Sequence, residues 1–381
     1  MRTALTNGRL LTGGAIVRGQ TLLVSGARIE ALVAPQDPRC AEALVVDLED
    51  QLLLPGFIDV QVNGGGGVLF NDEPRLESIR AIGAVHRRFG TTGFLPTVIS
   101  DELDTIGGAI DAVQSALDSR VPGVLGIHIE GPFINQRRRG VHDAKHLRRL
   151  DSSAIGLLSR LRHGITVLTL APETTTPETI AQLTAAGILV SAGHSEASYA
   201  DTIAAIAQGL RGFTHLFNAM ARLDHRRPGI VGAALYDPDT WCGIIVDGHH
   251  IDPIMLKLAL RCKRHDRFML VTDAMPAVGS TESSFQLQGR TIQVAGGICR
   301  DENGTLAGST LDMASAVRNA VSWLGLELAE AARMASEYPA EFLGLGHELG
   351  RIAPGYRANL VLLDHDLNVR ETWIEGCSSL A

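Results

Sequence analysis

The sequence predicts an α/β protein built on a (β/α)8 TIM-type barrel, with a small discontinuous β-sandwich domain formed by the two ends of the chain. Two observations lead to this prediction. The middle of the chain alternates apolar, strand-like runs with helical segments, whereas both ends contain short strand-like runs separated by Gly, Asn and Pro. A length of 381 residues also suits one large barrel with a small accessory domain.

Eight apolar runs make up the predicted barrel. They show little alternation with polar residues, which is typical of strands that are buried on both faces of a parallel sheet. Helical segments connect them, as a closed parallel barrel requires. The eight runs are residues 57–62, 94–99, 124–129, 165–170, 188–192, 212–216, 242–246 and 268–272.

The remaining segments set the expected domain boundaries. Residues 1–52 and 351–381 are expected to be the two parts of the β-sandwich, because chain termini often lie close together. Residues 53–350 are expected to form the catalytic barrel. Within the barrel, residues 284–306 alternate apolar and polar side chains around two Gly-containing turns, which predicts an inserted hairpin.

Four polar residues stand at the ends of predicted barrel strands. Glu130 ends the third strand, His194 follows the fifth, His215 the sixth and Asp273 the eighth. Barrel enzymes carry their catalytic groups at these carboxyl ends. One carboxylate and two imidazoles would leave a divalent metal an open position for water or substrate, which favours a hydrolytic site. Each residue alone would more often be a capping or hydrogen-bonded residue, and the prediction rests on the four together in strand order.

Composition and charge narrow the classes of function. With 45% hydrophobic and 20% charged residues, the chain has the composition of a soluble globular protein, and a net charge of −8 argues against nucleic-acid binding. A basic cluster at 137–149 fits either a solvated loop or a positive rim that attracts a small anion. The five cysteines lack a C-x-x-C pair, which indicates neither a disulfide framework nor a thiolate zinc site. No apolar stretch suits a signal peptide or a membrane span, so we expect a cytoplasmic protein without a membrane partner.

The motifs around the strand ends resemble the amidohydrolase superfamily and, within it, the N-acetylglucosamine-6-phosphate deacetylases. The resemblance covers nearly the whole chain in the family's order and approximate spacing. It rests on PGFIDVQVNG (55–64), HIEGP (128–132), LAPE (170–173), SAGH (191–194), THLFNAM (214–220), VTDA (271–274) and PGYRANLV (354–361). The resemblance implies metal-dependent conversion of N-acetyl-D-glucosamine 6-phosphate to D-glucosamine 6-phosphate and acetate, in amino-sugar catabolism.

The first barrel strand departs from many amidohydrolases in a way that bears on the number of metals. Those proteins carry His-x-His there for a second metal, whereas this chain has Gln61 and Asn63. Amide side chains are weak ligands compared with imidazole. We therefore expect one divalent ion per chain, with Zn²⁺ as the first choice and Fe²⁺, Co²⁺ or Mn²⁺ as alternatives.

The resemblance also implies a role for each candidate site residue. Asp273 is expected to take a proton from water and return it to the leaving amine. Arg226 and His250 are expected to hold the phosphate, although the sequence around Arg226 differs locally from the family pattern. Family members are commonly homodimers in which one subunit completes the other's phosphate site. The expected metal ligands are Glu130, His194 and His215, and the expected substrate contacts are Gln61, Asn63, His142, Asn218, Ala219, Arg226 and His250.

Two other functions remain compatible with the sequence. A related amidohydrolase could remove an acyl group from N-acetylgalactosamine 6-phosphate or from an N-acylated amino acid, and no sequence feature distinguishes the sugar epimers. A non-enzymatic scaffold with this fold is the other alternative. It is disfavoured because all three expected ligands and the strand-eight aspartate are present.

Overall fold

The largest sheet of the molecule is a parallel barrel of eight strands. The structure, a computed structural model, describes residues 2–380, and its barrel strands follow one another around the sheet in chain order. We number them barrel strands 1 to 8: Phe57–Val62, Thr91–Ile99, Gly126–Glu130, Ile165–Leu170, Leu189–Ala192, Gly212–Phe213, Trp241–Ile244 and Phe268–Leu270.

Backbone contacts between the first and last strands close the barrel. Val62 and Ala274 form a parallel bridge, and the N–H groups of Asn63 and Gly64 both donate to the Ala274 carbonyl oxygen, at 2.9 and 3.0 Å. The predicted α/β barrel is thereby confirmed.

The connecting helices cover the outside of the barrel. In Leu103–Asp118, for example, Ile106, Ile110 and Val113 are spaced three or four residues apart and are fully buried, so one face of the helix packs on the sheet. Among residues 2–380, no helix is both long and apolar enough to cross a membrane. The helices of the barrel are Leu76–Arg87, Leu103–Asp118, Ser152–Leu158, Pro177–Ala185, Tyr199–Ala207, Gly229–Tyr236, Pro253–Cys262, Met313–Asn319, Leu328–Ala335 and Glu337–Phe342, with a π-helical turn at Ala320–Leu324.

Two sheets built from both ends of the chain form a separate layer with its own core. That core joins Leu5 and Leu22 of one sheet to Leu53, Leu360 and Trp373 of the other. The division of the chain at 52/53 and 350/351 stays a prediction. In order across each sheet, the strands are Arg28–Val33, Thr21–Ser25, Arg2–Thr6 and Leu44–Asp47, then Cys377–Ser378, Val369–Ile374, Leu360–Leu363, Leu52–Pro55, Arg9–Thr12 and Ala15–Val17. The short helix Pro38–Ala41 precedes the strand Leu44–Asp47.

The segment predicted as a hairpin, residues 284–306, belongs to a four-stranded antiparallel sheet that extends to Ser309. Four antiparallel strands, Ser284–Leu287, Arg290–Ala295, Ile298–Arg300 and Leu306–Ser309, form a sheet of their own after barrel strand 8. Its apolar side chains, Leu287 and Ile292 among them, pack against Ile99 and Met275 at the mouth of the barrel. The insertion therefore covers one side of the barrel mouth.

Barrel strands 6 and 8 are shorter than the sequence predicts. Strand 6 ends at Phe213 and strand 8 at Leu270. Beyond them, His215 and Asp273 adopt φ angles of +34° and +51°, in the left-handed region that residues other than glycine seldom occupy. The hydrogen bonding between barrel strands thus ends just before an expected metal ligand, His215, and the expected acid–base residue, Asp273. Backbone strain of this kind clusters at functional sites.

Candidate active site

Three strand ends bring one carboxylate and two imidazoles into a single buried cluster. Glu130 Oε1 lies 3.0 Å from His194 Nε2 and 2.8 Å from His215 Nε2, and the two Nε2 atoms are 3.1 Å apart. All three side chains are buried. The residues that the sequence predicts as metal ligands thus come together, and within residues 2–380 they are the one group of at least three such side chains close enough to hold a metal.

The hydrogen bonds around the cluster suit a divalent cation. His194 Nδ1 lies 2.8 Å from the carbonyl oxygen of Arg138, so Nδ1 carries the proton and Nε2 turns a lone pair towards the cluster. Ligand atoms bound tetrahedrally at about 2.0–2.1 Å lie roughly 3.3 Å apart, close to the spacing seen here. Burial alone would raise the pKa of Glu130, but the adjacent His194 and His215 rings bring it well below its usual value. The site therefore presents an anionic carboxylate and two nitrogens to a common point.

Asp273 lies beside the metal-ligand cluster in a hydrogen-bonded position of its own. Its Oδ1 accepts hydrogen bonds from Asn63 Nδ2 at 2.7 Å and from Gln61 Nε2 at 3.2 Å. Burial, followed by the negative charge of Glu130, raises the pKa of Asp273 to about 6. A carboxyl group with such a pKa can both release and accept a proton near neutral pH.

Gln61 and Asn63 use their amide groups to orient the carboxylates. Gln61 Nε2 also donates to Glu130 Oε2 at 3.0 Å, so this residue connects the metal-ligand cluster with Asp273. Asn63 Oδ1 is buried and has no partner within residues 2–380, which leaves an acceptor beside the cavity.

A cavity of about 340 Å³ opens above these groups. Most of the residues that the sequence singles out line it. Gln61 lies beneath it, hydrogen-bonded to two of the lining residues, and Arg226 does not line it. The predicted residues in the lining are Asn63, Glu130, His142, His194, His215, Asn218, Ala219, His250 and Asp273.

His142 offers a hydrogen-bond donor to the cavity. Its Nδ1 accepts from the backbone N–H of Ser100 at 3.3 Å and lies 2.7 Å from the Ser100 hydroxyl oxygen, so the proton resides on Nε2. Burial, followed by the nearby His194 ring, lowers the pKa of His142 well below its usual value. His142 is consequently a neutral donor at physiological pH.

The two residues expected to bind phosphate occupy different environments. His250 lines the cavity, and its Nδ1 lies 2.6 Å from Asp247 Oδ2, which fixes the ring. Arg226 is exposed on the loop before helix Gly229–Tyr236, where its backbone N–H donates to Asp224 Oδ1 at 2.9 Å. A single chain therefore does not bring Arg226 together with the other predicted residues.

Residues from the insertion form part of the site that the sequence does not reveal. Thr305, Leu306 and Gly308 line the cavity. Gln288 donates to the Ser100 carbonyl oxygen at 2.6 Å and accepts from the Asp143 backbone N–H at 3.0 Å. It thereby connects Ser100, which contacts the His142 ring, with the residue that follows His142. No local motif marks these residues, because their role depends on contacts with distant parts of the chain.

Glu173 is a second residue whose role the sequence leaves open, although it belongs to the LAPE motif. Its carboxylate accepts from Ser195 Oγ at 2.7 Å, from the Glu196 backbone N–H at 2.6 Å and from Asn135 Nδ2 at 2.9 Å. The Asn135 backbone N–H in turn donates to the His194 carbonyl oxygen at 2.9 Å. Glu173 therefore fixes the backbone that carries the ligand His194.

Comparison with known proteins agrees with this site. Residues 52–377 match the amidohydrolase family. The chain is 48% identical over 324 residues to an N-acetylgalactosamine-6-phosphate deacetylase of Shewanella sp. (strain ANA-3), covering 85% of this chain and 82% of that protein.

Solved structures extend the similarity to the whole fold. The N-acetylglucosamine-6-phosphate deacetylase from Pasteurella multocida superposes with a TM-score of 0.96 at 36% identity, covering 100% of both chains. A mutant of the Mycobacterium smegmatis enzyme in complex with N-acetyl-D-glucosamine-6-phosphate superposes with a TM-score of 0.92 at 33% identity, covering 99% of both. The protein thus belongs to the amidohydrolase family.

Proposed function

We propose that the protein is a metal-dependent deacetylase that hydrolyses N-acetyl-D-glucosamine 6-phosphate to D-glucosamine 6-phosphate and acetate. The observation that carries this proposal is the position of Asp273 beside the cluster of Glu130, His194 and His215, within one cavity. Near-full-length similarity to enzymes named for this activity supports the choice of substrate.

One divalent ion, with Zn²⁺ as the first choice, is proposed for the three-residue cluster. Two imidazoles and one carboxylate are ligands that Zn²⁺ accepts, and Fe²⁺, Co²⁺ and Mn²⁺ accept similar sets. The amides of Gln61 and Asn63 donate to Asp273, which argues against their serving a second ion. When bound, the ion lowers the pKa of water and polarises the amide carbonyl group.

Asp273 supplies the proton transfers of the proposed reaction. Its ionised carboxylate accepts a proton from the attacking water, whose oxygen forms the new bond to the acetyl carbon. The same carboxyl group then gives the proton to the sugar nitrogen as the C–N bond breaks, which releases acetate and the amine. Hydrogen bonds from Gln61 and Asn63 hold the carboxylate during both steps, and His142 Nε2–H is a donor for the acetyl oxygen.

The phosphate is proposed to bind at the edge of the cavity near His250. Arg226 is exposed and does not line the cavity of its own chain. We therefore propose a homodimer in which each Arg226 completes the phosphate site of the partner. Leu223 and Tyr236, which precede and follow Arg226 in the sequence, are 52% and 77% exposed, and large exposed apolar side chains favour a contact surface. Arginine suits phosphate because its planar group donates two hydrogen bonds at once.

We also propose that the protein acts in the cytoplasm, in amino-sugar catabolism. Each of the five cysteines is free in residues 2–380, as is common in reducing compartments. This observation supports the location and does not bear on the substrate.

N-acetylgalactosamine 6-phosphate is a second candidate substrate, favoured by the 48% identity to the Shewanella enzyme. The two sugars differ only in the configuration of one hydroxyl group. Both sugars therefore have to be assayed side by side.

Release of free amine from a small panel of N-acyl compounds tests the proposed function. The panel contains both phosphorylated sugars, unphosphorylated N-acetylglucosamine and an N-acetylated amino acid. We expect the highest kcat/KM with N-acetylglucosamine 6-phosphate. A higher value with the galactose epimer would establish the second candidate, and no release from any compound would support a non-enzymatic scaffold.

A further inference from the structure

A second cavity lies at the opposite end of the barrel from the candidate active site. It measures about 640 Å³, larger than the candidate active site, and shares no lining residue with it. Its walls come from helix Leu76–Arg87, the turn at 119–122, strand Val369–Ile374 and residues 378–380. Because this helix and turn precede barrel strands 2 and 3, the cavity is at the amino ends of the strands, between the barrel and the small domain.

Positive charge dominates the lining of this second cavity. Arg80, Arg87, Arg88, Arg120 and Arg370 line it, together with a single acidic residue, Glu371. The Arg87 guanidinium group donates hydrogen bonds to the hydroxyl and carbonyl oxygens of Thr372 and to the Cys377 carbonyl oxygen. Within residues 2–380, none of the other four guanidinium groups forms an ion pair or a hydrogen bond with the protein, although that of Arg88 lies 5.9 Å from the centre of the Phe89 ring. In a chain whose net charge is −8, five arginines therefore face one cavity.

Helix ends explain part of this arrangement. Arg87, Arg88 and Arg120 lie at or just beyond the carboxyl ends of helices Leu76–Arg87 and Leu103–Asp118, where a cation interacts favourably with the helix dipole. Arg80 lies within its helix and Arg370 lies on a strand, so the dipole does not account for them. A concavity lined by charges of one sign raises the local concentration of ions of the opposite sign, so this lining attracts anions.

We propose that this second cavity binds a small organic polyphosphate, such as a nucleotide. Its volume lies in the range of about 300–1,000 Å³ that is typical of small-molecule sites. Several arginines can each donate two hydrogen bonds to phosphate oxygens. The apolar side chains of Val121, Pro122 and Ile374, which also line the cavity, offer a surface for the rest of the molecule. Such a ligand would contact the barrel and the small domain together.

Calorimetric titration of the full chain with ATP tests this site. We expect one ATP per chain with a dissociation constant below about 1 mM. The double variant Arg120→Ala/Arg370→Ala should weaken binding at least about tenfold, because two phosphate contacts are lost. Both arginines are exposed and have no partner to lose within residues 2–380, so the variant should keep the melting temperature of the wild type.

Two controls locate the bound ATP. Arg261→Ala removes an equally exposed arginine from helix Pro253–Cys262, outside both cavities, and should leave binding unchanged. Arg226→Ala should also leave it unchanged, since that residue belongs to the proposed phosphate site of the substrate. Failure to bind ATP, equal weakening by Arg261→Ala, or loss of binding in Arg226→Ala would overturn the proposal. Tight binding of a single-stranded oligonucleotide without ATP binding would overturn it in favour of a macromolecular partner.

Discussion

The two ends of the candidate active site are built in different ways. At the metal end, Glu130, His194 and His215 follow barrel strands and are buried within 3.1 Å of one another. At the phosphate end, His250 lines the cavity, whereas Arg226 lies on an exposed loop outside it. One chain thus assembles the groups for amide hydrolysis, but recognition of the phosphate depends on loops and, in our proposal, on a second chain.

The largest effect is expected from removing a metal ligand. His215→Ala should abolish metal binding and reduce kcat by more than the roughly 10² to 10⁴-fold cost of losing an acid–base residue, because activation of water is lost as well. Elemental analysis and a kinetic assay measure the two effects. His225→Ala, whose side chain is 74% exposed, is the matched control and should retain both properties. Full metal content in His215→Ala would contradict the assigned ligand set.

Asp273→Asn separates proton transfer from metal binding within the same end of the site. The amide oxygen can still accept the hydrogen bonds from Gln61 and Asn63, so the variant should keep its fold and metal. Its kcat should fall by about 10² to 10⁴-fold, because the amide cannot accept the proton of water. Near-normal turnover in a metal-replete sample would remove Asp273 from the mechanism.

Arg226→Ala tests the phosphate end. The preference for phosphorylated over unphosphorylated N-acetylglucosamine should fall by about 2–5 kcal/mol, the scale for losing one partner of a desolvated charged contact. Arg227→Ala is the matched control on the same loop. Equal loss of kcat/KM for both sugars would mean that Arg226 acts through the structure instead of through the phosphate.

Mixing two defective variants shows which chain supplies Arg226. A heterodimer of Arg226→Ala with Asp273→Asn contains one site with an intact Asp273 and an intact Arg226 from the partner. If Arg226 crosses the interface, refolding the two variants together should restore activity that neither possesses alone. If it serves its own chain, mixing should restore nothing.

The dependence of activity on pH should be a smaller effect that arises at the metal end alone. Burial and the charge of Glu130 raise the pKa of Asp273 to about 6, and the general base must be ionised. We therefore expect kcat/KM to fall about tenfold per pH unit below this pKa. A bound cation lowers the pKa, which moves the acidic limb to lower pH but not above about 6. Asp273→Asn should lack this limb, and its persistence there would assign it to another group.

The metal ligands can be predicted from the sequence, whereas contacts between distant segments cannot. Glu130, His194 and His215 are recognisable because each stands in a short motif directly after an apolar strand. Gln288 is not, since its bonds to Ser100 and Asp143 span 188 and 145 residues. The early ends of barrel strands 6 and 8 also escape prediction, because neither His215 nor Asp273 is a residue type that predicts the left-handed backbone seen just beyond them.

Titration of metal-free protein with Zn²⁺ tests the central claim most directly, because it measures the number of ions and the chemistry together. Deacetylation of N-acetylglucosamine 6-phosphate is followed after each addition of metal. We predict no activity without metal, a linear rise, and a plateau at one equivalent of Zn²⁺ per chain. Full activity in the metal-free protein, or a plateau at two equivalents, would contradict a single-metal centre formed by Glu130, His194 and His215.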